Sequence, residues 1–340
     1  MFEKYATDSL QYSNSEGLLE LRECISERYR SEQGIIIPAE RILITNGSQQ
    51  ALDLIAKVTV NTGDPVLIEE PGYLGAIQAL SLYRPRFIPV QVDDDGIDVS
   101  RLKSVIKEDP KLLYTVPNFQ NPSGISYSDQ NRRFVAEIIK SSECLLVEDD
   151  PYGSLRFQGE PVGSFHHLIP EQTILLGSFS KTVVPGFRLG WVAPPEKLFD
   201  KLLIAKQASD LHTCNFTQYV ILDFLTNNRV EDHLKKIRIA YGNQCRAMVE
   251  AIEKNFPDYV SFTRPDGGMF LWGRLPEKMS SLELFDRAVA KKVAFVPGEP
   301  FYTRQLQTST FRLNFSCTDE QVIEDGIRRL AEAIVSMEMA

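Results

Sequence analysis

Short apolar segments that alternate with polar turns and helical periodicity constrain this chain more than any other feature. Segments 42–45, 64–70, 86–92, 112–116, 145–147, 174–179 and 189–193 read as strands. They are rich in Ile, Leu and Val, and most stop at Gly, Pro, Asn, Asp or Ser. Helical patterns lie between them at 51–60, after Pro71-Gly72-Tyr73, at 132–140 and through most of 196–256. Ahead of them, 16–29 reads as an amphipathic helix with Leu18, Leu21, Ile25 and Tyr29 on one face. Continuous apolar strands separated by helices predict a largely parallel sheet covered on both faces. Ligands of such sheets bind beyond the carboxyl ends of the strands. After about residue 256 the pattern changes. Strands at 259–263, 268–272, 294–296 and 311–315, with helices at 281–289 and 320–334, predict a smaller α+β domain. The reading divides the chain into 1–240, an N-terminal helix plus large domain, and 241–340, a small domain.

The 340 residues suffice for such a two-part core, and the net charge of −9 argues against nucleic acid or an anionic membrane as partner. No apolar stretch reaches the length of a membrane span, and the first residues lack a charged-then-apolar signal pattern. The five cysteines are scattered and odd in number. Together these features predict a cytoplasmic protein. No His, Cys or acidic cluster has metal-ligand spacing, so no metal is expected.

The polar residues that close the strands carry the chemistry. Gly177-Ser178-Phe179-Ser180-Lys181 ends the strand at 174–179, and Arg188 follows before the next strand. A lysine at the mouth of a buried strand is poorly hydrated, which favours its neutral, nucleophilic amine. The two serines and the arginine are donors suited to a phosphate. An amine beside a phosphate seat is what pyridoxal 5'-phosphate requires; a surface turn with a solvated lysine is the other reading. Gly47, Ser48 and Gln49 stand where a strand passes into a helix. Free N–H groups and the helix dipole make that a seat for an anion, or else a capped helix without a ligand. Asp149 follows an apolar strand; a buried carboxylate there needs a partner such as a protonated pyridine nitrogen, and loop carboxylates capping a helix are the other reading, which suits Asp150 better than Asp149. Tyr152 and Asn121 are placed to hold the cofactor's O3′, and Tyr73 to stack on its ring, though each also fits plain packing or turn chemistry. Arg312 stands between Phe311 and Leu313 on a strand; turned inward, its guanidinium fits a substrate carboxylate, and an exposed strand arginine is the other reading.

In order and approximate separation, Asn121-Pro122-Ser123-Gly124, Asp149-Asp150-Pro151-Tyr152, Ser178-Phe179-Ser180-Lys181 with Arg188, and Arg312 resemble the fold-type I, class I/II aminotransferases that use pyridoxal phosphate. The resemblance spans nearly the whole chain. Leu10-Gln11-Tyr12-Ser13, Thr45-Asn46-Gly47-Ser48-Gln49, Ala205-Lys206-Gln207 with Asp210-Leu211-His212-Thr213, and Gly267-Gly268-Met269-Phe270 place it near the 2-aminoadipate and kynurenine branch. It implies a mostly parallel seven-stranded sheet in an α/β/α sandwich plus a small C-terminal α+β domain. Lys181 would form the Schiff base and then move the proton, as general acid and base. Asp149 would pair with the pyridine nitrogen. Asn121 and Tyr152 would hold O3′, and Tyr73 would stack. Ser48, Gln49, Ser178, Ser180 and Arg188 would bind phosphate, and Arg312, with Asn121, the substrate. Tyr12 matches a tyrosine that reaches the neighbouring subunit's phosphate, implying a homodimer with shared sites. The implied reaction moves an amino group from an L-amino acid of 2-aminoadipate, glutamate, aromatic or branched-chain type to a 2-oxo acid such as 2-oxoglutarate. Other fold-type I activities, a carbon–sulfur lyase or decarboxylase, and a non-catalytic cofactor-binding effector domain are the alternatives. His212, Asn215 and Trp272 are given no role. Family members usually carry several dozen residues before the Leu-Gln-Tyr stretch as an arm over the substrate, so this chain is either truncated or differently started, or belongs to a protein with a reduced lid.

Overall fold

The computed structural model describes residues 2–304 and 307–338, with side chains from Tyr5 onward. Eight strands form the large sheet: β1 (Leu43–Thr45), β2 (Pro65–Glu70), β3 (Arg86–Asp93), β4 (Gly96–Ile97), β5 (Leu112–Thr115), β6 (Leu145–Asp149), β7 (Thr173–Ser178) and β8 (Gly190–Ala193). Their order is β1-β8-β7-β6-β5-β2-β3-β4. The central pairs β3·β2, β2·β5, β5·β6 and β6·β7 are parallel. β8 runs antiparallel to both β7 and β1. Seven of these strands are those expected from the sequence. The eighth, β4, is a two-residue edge strand that turns back on β3.

Side chains alternate across the pleat, and the strands distribute them to different cores. Val66, Ile68, Leu112, Tyr114, Val147, Ile174 and Leu176 pack on one face with residues of the helices Gly47–Thr59, Leu74–Ser81 and Glu196–Asp210. Leu67, Ile88, Leu113 and Leu146 pack on the other with the helices Val99–Val105 and Asp129–Lys140. The amphipathic helix covers Ile44, Leu175 and Trp191 with Leu21, Ile25 and Tyr29, as its apolar face predicts. It runs Leu19–Gln33 rather than 16–29. Gly17, at φ +94° against Ile44, delays the start, and Gly34, in the left-handed region at φ +68°, ends it one turn later.

A second sheet is antiparallel throughout: β9 (Ser261–Phe262), β10 (Phe270–Arg274), β11 (Val296–Pro297) and β12 (Thr310–Asn314), in the order β11-β12-β10-β9. It buries Leu271, Phe311 and Leu313 against the helices Val230–Asn255, Ser281–Ala290 and Glu320–Ser336. Helix Val230–Asn255 serves both cores, and Tyr241, midway along it, packs against each. Among the described residues no helix is long and apolar enough to cross a membrane.

Candidate active site

The carboxyl ends of β1, β2, β5, β6 and β7 lie along one edge of the large sheet, because those strands point the same way. A cavity of about 350 Å³ opens there and is closed from the other side by β10 and β12 of the small sheet. Eleven of the thirteen site residues named from the sequence line it: Ser48 and Gln49 after β1, Tyr73 after β2, Asn121 after β5, Asp149 and Tyr152 from β6, Ser178, Ser180, Lys181 and Arg188 after β7, and Arg312 from β12.

Gly47 lies beneath the cavity rather than on its wall. It sits at φ +73°, and a Cβ there would come within 2.8 Å of an Arg188 guanidinium nitrogen. Glycine thus serves twice, for backbone conformation and for the arginine's approach. The helix that follows has no side-chain cap at Asn46 and no acidic residue in its first turn. Its leading N–H groups are left for an anion. The Gln49 side chain donates to the Gly75 carbonyl at 2.7 Å, so what Gln49 offers an anion is its backbone N–H. Arg188 donates to Ser180 Oγ at 3.4 Å, and the Ser180 N–H to Ser178 Oγ at 3.0 Å. Ser48, Gln49, Ser178, Ser180 and Arg188 all line the cavity.

Charges are arranged around Lys181, which lines the same cavity. Burial, with the Arg312 and Arg188 charges, holds its ammonium below the usual lysine range. Asp149 is buried, and desolvation pushes its carboxyl up to about 7. The Tyr114 hydroxyl opposes that shift by donating to Oδ2 at 2.8 Å. Oδ1 makes no well-formed hydrogen bond among the described residues, and neither does the buried Ser48 hydroxyl near it. Burial, aided by Tyr73 and the Asp149 charge, raises the Tyr152 phenol, with Arg312 and the Asn121 amide acting against it. Arg312 is turned inward. One of its terminal nitrogens donates to Asn121 Oδ1 at 2.7 Å, while Phe270 and Phe301 face the guanidinium with ring centres at 4.2 and 5.2 Å. Its Nε is buried without a partner among the described residues.

A buried carboxylate oxygen met only by a poorly aligned Ser48 hydroxyl, and a buried guanidinium N–H without a partner among the described residues, belong to residues that line one cavity and fit a ligand that carries an anionic group and a protonated ring nitrogen. Pyridoxal phosphate is such a ligand, so the residues present suit it.

Tyr114 was not singled out from the sequence, although a phenol inside the apolar run Leu112-Leu113-Tyr114 was a signal that its hydroxyl needs a buried acceptor. Phe270, which faces Arg312 and meets the Tyr152 ring edge-on at 5.9 Å, stood in the sequence only as a family pointer. Tyr12 lies outside its own chain's cavity, 83% exposed, with its ring edge on His212. Asn215 holds the Asp8 and Gln11 carbonyls, and Trp272 packs edge-on against Phe301. None of His212, Asn215 or Trp272 lines the cavity. No group of three or more metal-ligating side chains occurs among the described residues.

Comparison with known proteins agrees with this geometry. The family Aminotransferase class I and II matches residues 5–330. An aromatic-amino-acid aminotransferase of Thermococcus litoralis is 40% identical over 98% of this chain and 82% of its own length. The crystal structure of a kynurenine aminotransferase from Pyrococcus horikoshii, in complex with PMP, superposes with a TM-score of 0.95 at 41% identity, covering 99% of this chain and 85% of that one. An alpha-aminoadipate aminotransferase from Thermus thermophilus, complexed with N-(5'-phosphopyridoxyl)-L-leucine, gives 0.94 at 37% identity over 99% and 86%. The chain belongs to the class I and II aminotransferases, enzymes that use pyridoxal phosphate to pass an amino group between amino acids and 2-oxo acids.

Proposed function

We propose that this aminotransferase takes its amino group from an L-amino acid with an acidic or aromatic side chain, of the 2-aminoadipate, glutamate or kynurenine kind, and delivers it to 2-oxoglutarate. The observation that carries this is the position of Arg312. A guanidinium with a free buried N–H faces the same cavity as Lys181 and suits an α-carboxylate. The relatives' own substrates supply the side-chain class.

In this reading the N–H groups of Ser48 and Gln49, the hydroxyls of Ser178 and Ser180, and Arg188 bind the phosphate. Asp149, acting through its unpaired Oδ1, keeps the pyridine nitrogen protonated. Asn121 and Tyr152 hold O3′, and Tyr73 covers the ring. Pyridoxal phosphate supplies an electron sink that acidifies the substrate α-carbon. Lys181 would hold the cofactor until a substrate amine takes its place, and its freed amine would then take the α-proton as general base and give it up as general acid to the cofactor's C4′ carbon. Its lowered basicity leaves a larger fraction of neutral amine at neutral pH. Arg312 fixes the carboxylate so that the α-hydrogen faces Lys181.

Two copies complete the site in this reading. Tyr12 stands exposed with Leu10 beside it, on a segment fixed by Asn215, and reaches the partner's phosphate seat. The domain division falls at Tyr241, within the shared helix. The enzyme works in the cytoplasm, in keeping with five free cysteines, two of them exposed.

The test is the visible absorption of the protein loaded with pyridoxal phosphate. Addition of 2-aminoadipate or glutamate bleaches the band and 2-oxoglutarate restores it. Release of ammonia or sulfide without an oxo acid, or a band that no amino acid bleaches, refutes the proposal.

A further inference from the structure

Glu69 is the penultimate residue of β2; it does not line the cavity, and it is 1% exposed. Three donors from the segment that follows β5 converge on its carboxylate: the Val116 N–H at 2.9 Å and the Tyr127 hydroxyl at 2.6 Å on Oε1, and the Gln120 amide at 2.9 Å on Oε2. Val116, Gln120 and Tyr127 are each 1% exposed or less. Gln120 immediately precedes Asn121, and its side chain is fully committed. Its Nε2 also donates to the Pro71 carbonyl at 2.7 Å, two residues before Tyr73, while its Oε1 accepts from the Ser123 N–H and hydroxyl at 3.0 and 2.5 Å.

We propose that Glu69 is a positioning residue for the active site: its carboxylate fixes the orientation of Gln120, and through it both the loop that carries Asn121 and the turn that carries Tyr73. This rests on the reading that Asn121 and Tyr73 contact the cofactor.

The argument is one of donors and acceptors. Both hydrogens of the Gln120 amide are used, on Glu69 and on Pro71, so its oxygen must face Ser123. Donors meet both Glu69 oxygens, so all three are satisfied only by a group that accepts at both positions, which a carboxylate does and an amide does not. The three hydrogen bonds also favour the ionised form against burial, which pushes the carboxyl up to about 7. A carboxylate buried without a counter-cation is costly to retain. Its position under two cofactor-facing segments gives it a use that packing alone does not require. From the opposite side Arg132 grips the Pro117 carbonyl and the Asn118 side chain at 2.8 and 2.7 Å, leaving Asn121 as the part of this loop that faces the cavity.

The test uses Glu69→Gln, which keeps the shape but sets an amide donor against the Gln120 amide or against the Val116 N–H and Tyr127 hydroxyl, and the double variant Glu69→Gln/Gln120→Glu, which restores a donor–acceptor pair between the two side chains but sets a carboxylate oxygen against the Pro71 carbonyl. Asn121→Ala is the reference, and Tyr127→Phe is a milder second perturbation should Glu69→Gln fold poorly. Three readouts are followed: the dissociation constant for pyridoxal phosphate, the midpoint of the pH titration of the bound cofactor's visible band, and kcat/KM. In Glu69→Gln the dissociation constant stays within about threefold, because the phosphate seat is separate, while kcat/KM falls at least about tenfold. The titration midpoint moves in the direction seen for Asn121→Ala. The double variant recovers the part of both losses that runs through the Asn121 loop, and not the part that runs through Pro71, and Tyr127→Phe shows a smaller change of the same sign. A Glu69→Gln protein with lowered thermal stability but unaltered midpoint and kcat/KM overturns the positioning role while leaving the assignment of Asn121 intact. An unaltered midpoint in Asn121→Ala removes that assignment, and this inference with it.

Discussion

Arg312→Gln tests the substrate seat most directly. The guanidinium donates to Asn121 at 2.7 Å, lies between Phe270 and Phe301, and keeps a buried N–H free. Glutamine removes both the charge and the forked donor. Truncating one partner of a buried, hydrogen-bonded charge pair costs roughly 2–5 kcal/mol, or about 30- to 5,000-fold in kcat/KM for glutamate. Arg312→Lys keeps the charge and loses the fork, so it falls between that variant and the wild type. A second consequence follows from the charge. Arg312 helps to lower the Lys181 ammonium, so its removal moves the Lys181 pKa up. Activity that depends on the neutral amine then requires a higher pH. The assay is kcat/KM against pH for glutamate and for a primary amine that lacks the carboxylate. Glutamate suffers the full loss, whereas the amine reports only the change at Lys181. Equal loss on both substrates, or a fall of less than about fivefold on glutamate, refutes the assignment.

Lys181→Ala abolishes turnover while the protein still takes up pyridoxal phosphate through the phosphate seat, as equilibrium dialysis checks. Gly47→Ala places a methyl 2.8 Å from the Arg188 guanidinium at a left-handed backbone position, and the cofactor dissociation constant rises about tenfold or more. Tyr114→Phe removes the one bond that holds Asp149 Oδ2. The carboxyl then titrates higher still and the cofactor binds more weakly, by about 1–3 kcal/mol in the same dialysis. The cofactor-free protein loses stability as pH rises from the unfolded carboxylate range, near 4, through about 7. Glu69 and Asp149 hold their protons more tightly when folded, so their contribution is complete below the lower limit. Each site loses up to about 1.4 kcal/mol per pH unit within the window, measurable by urea unfolding.

The parts of the site that were legible in the sequence are local ones. Lys181, Asp149, Ser48 and Tyr73 each stand within a few residues of an apolar strand that points the same way, so a parallel sheet brings them to one edge whatever the details. The anion seat at Gly47 was legible only as one of two readings; the structure adds that the helix there has no side-chain cap. The helix Val99–Val105 and the edge strand β4 escaped, because each is short and neither shows a full period.

Strand order and inward or outward orientation belong to tertiary structure. The sequence left Arg312 between a solvent-facing and a cavity-facing position. The register of β12 on β10 and the rings of Phe270 and Phe301 decide it, through a hydrogen bond to a residue 191 positions away. The Tyr114 bond to Asp149 spans 35 positions, and the bonds that gather on Glu69 span 47 to 58. Hydrophobic periodicity reports which side of an element is dry, and turn chemistry reports where it stops. Neither reports which distant donor meets a buried acceptor, because that depends on how the elements pack. The chain alone therefore determined the kind of fold and the residue types available for catalysis, while packing decided which of them act as one site and which buried groups hold them there.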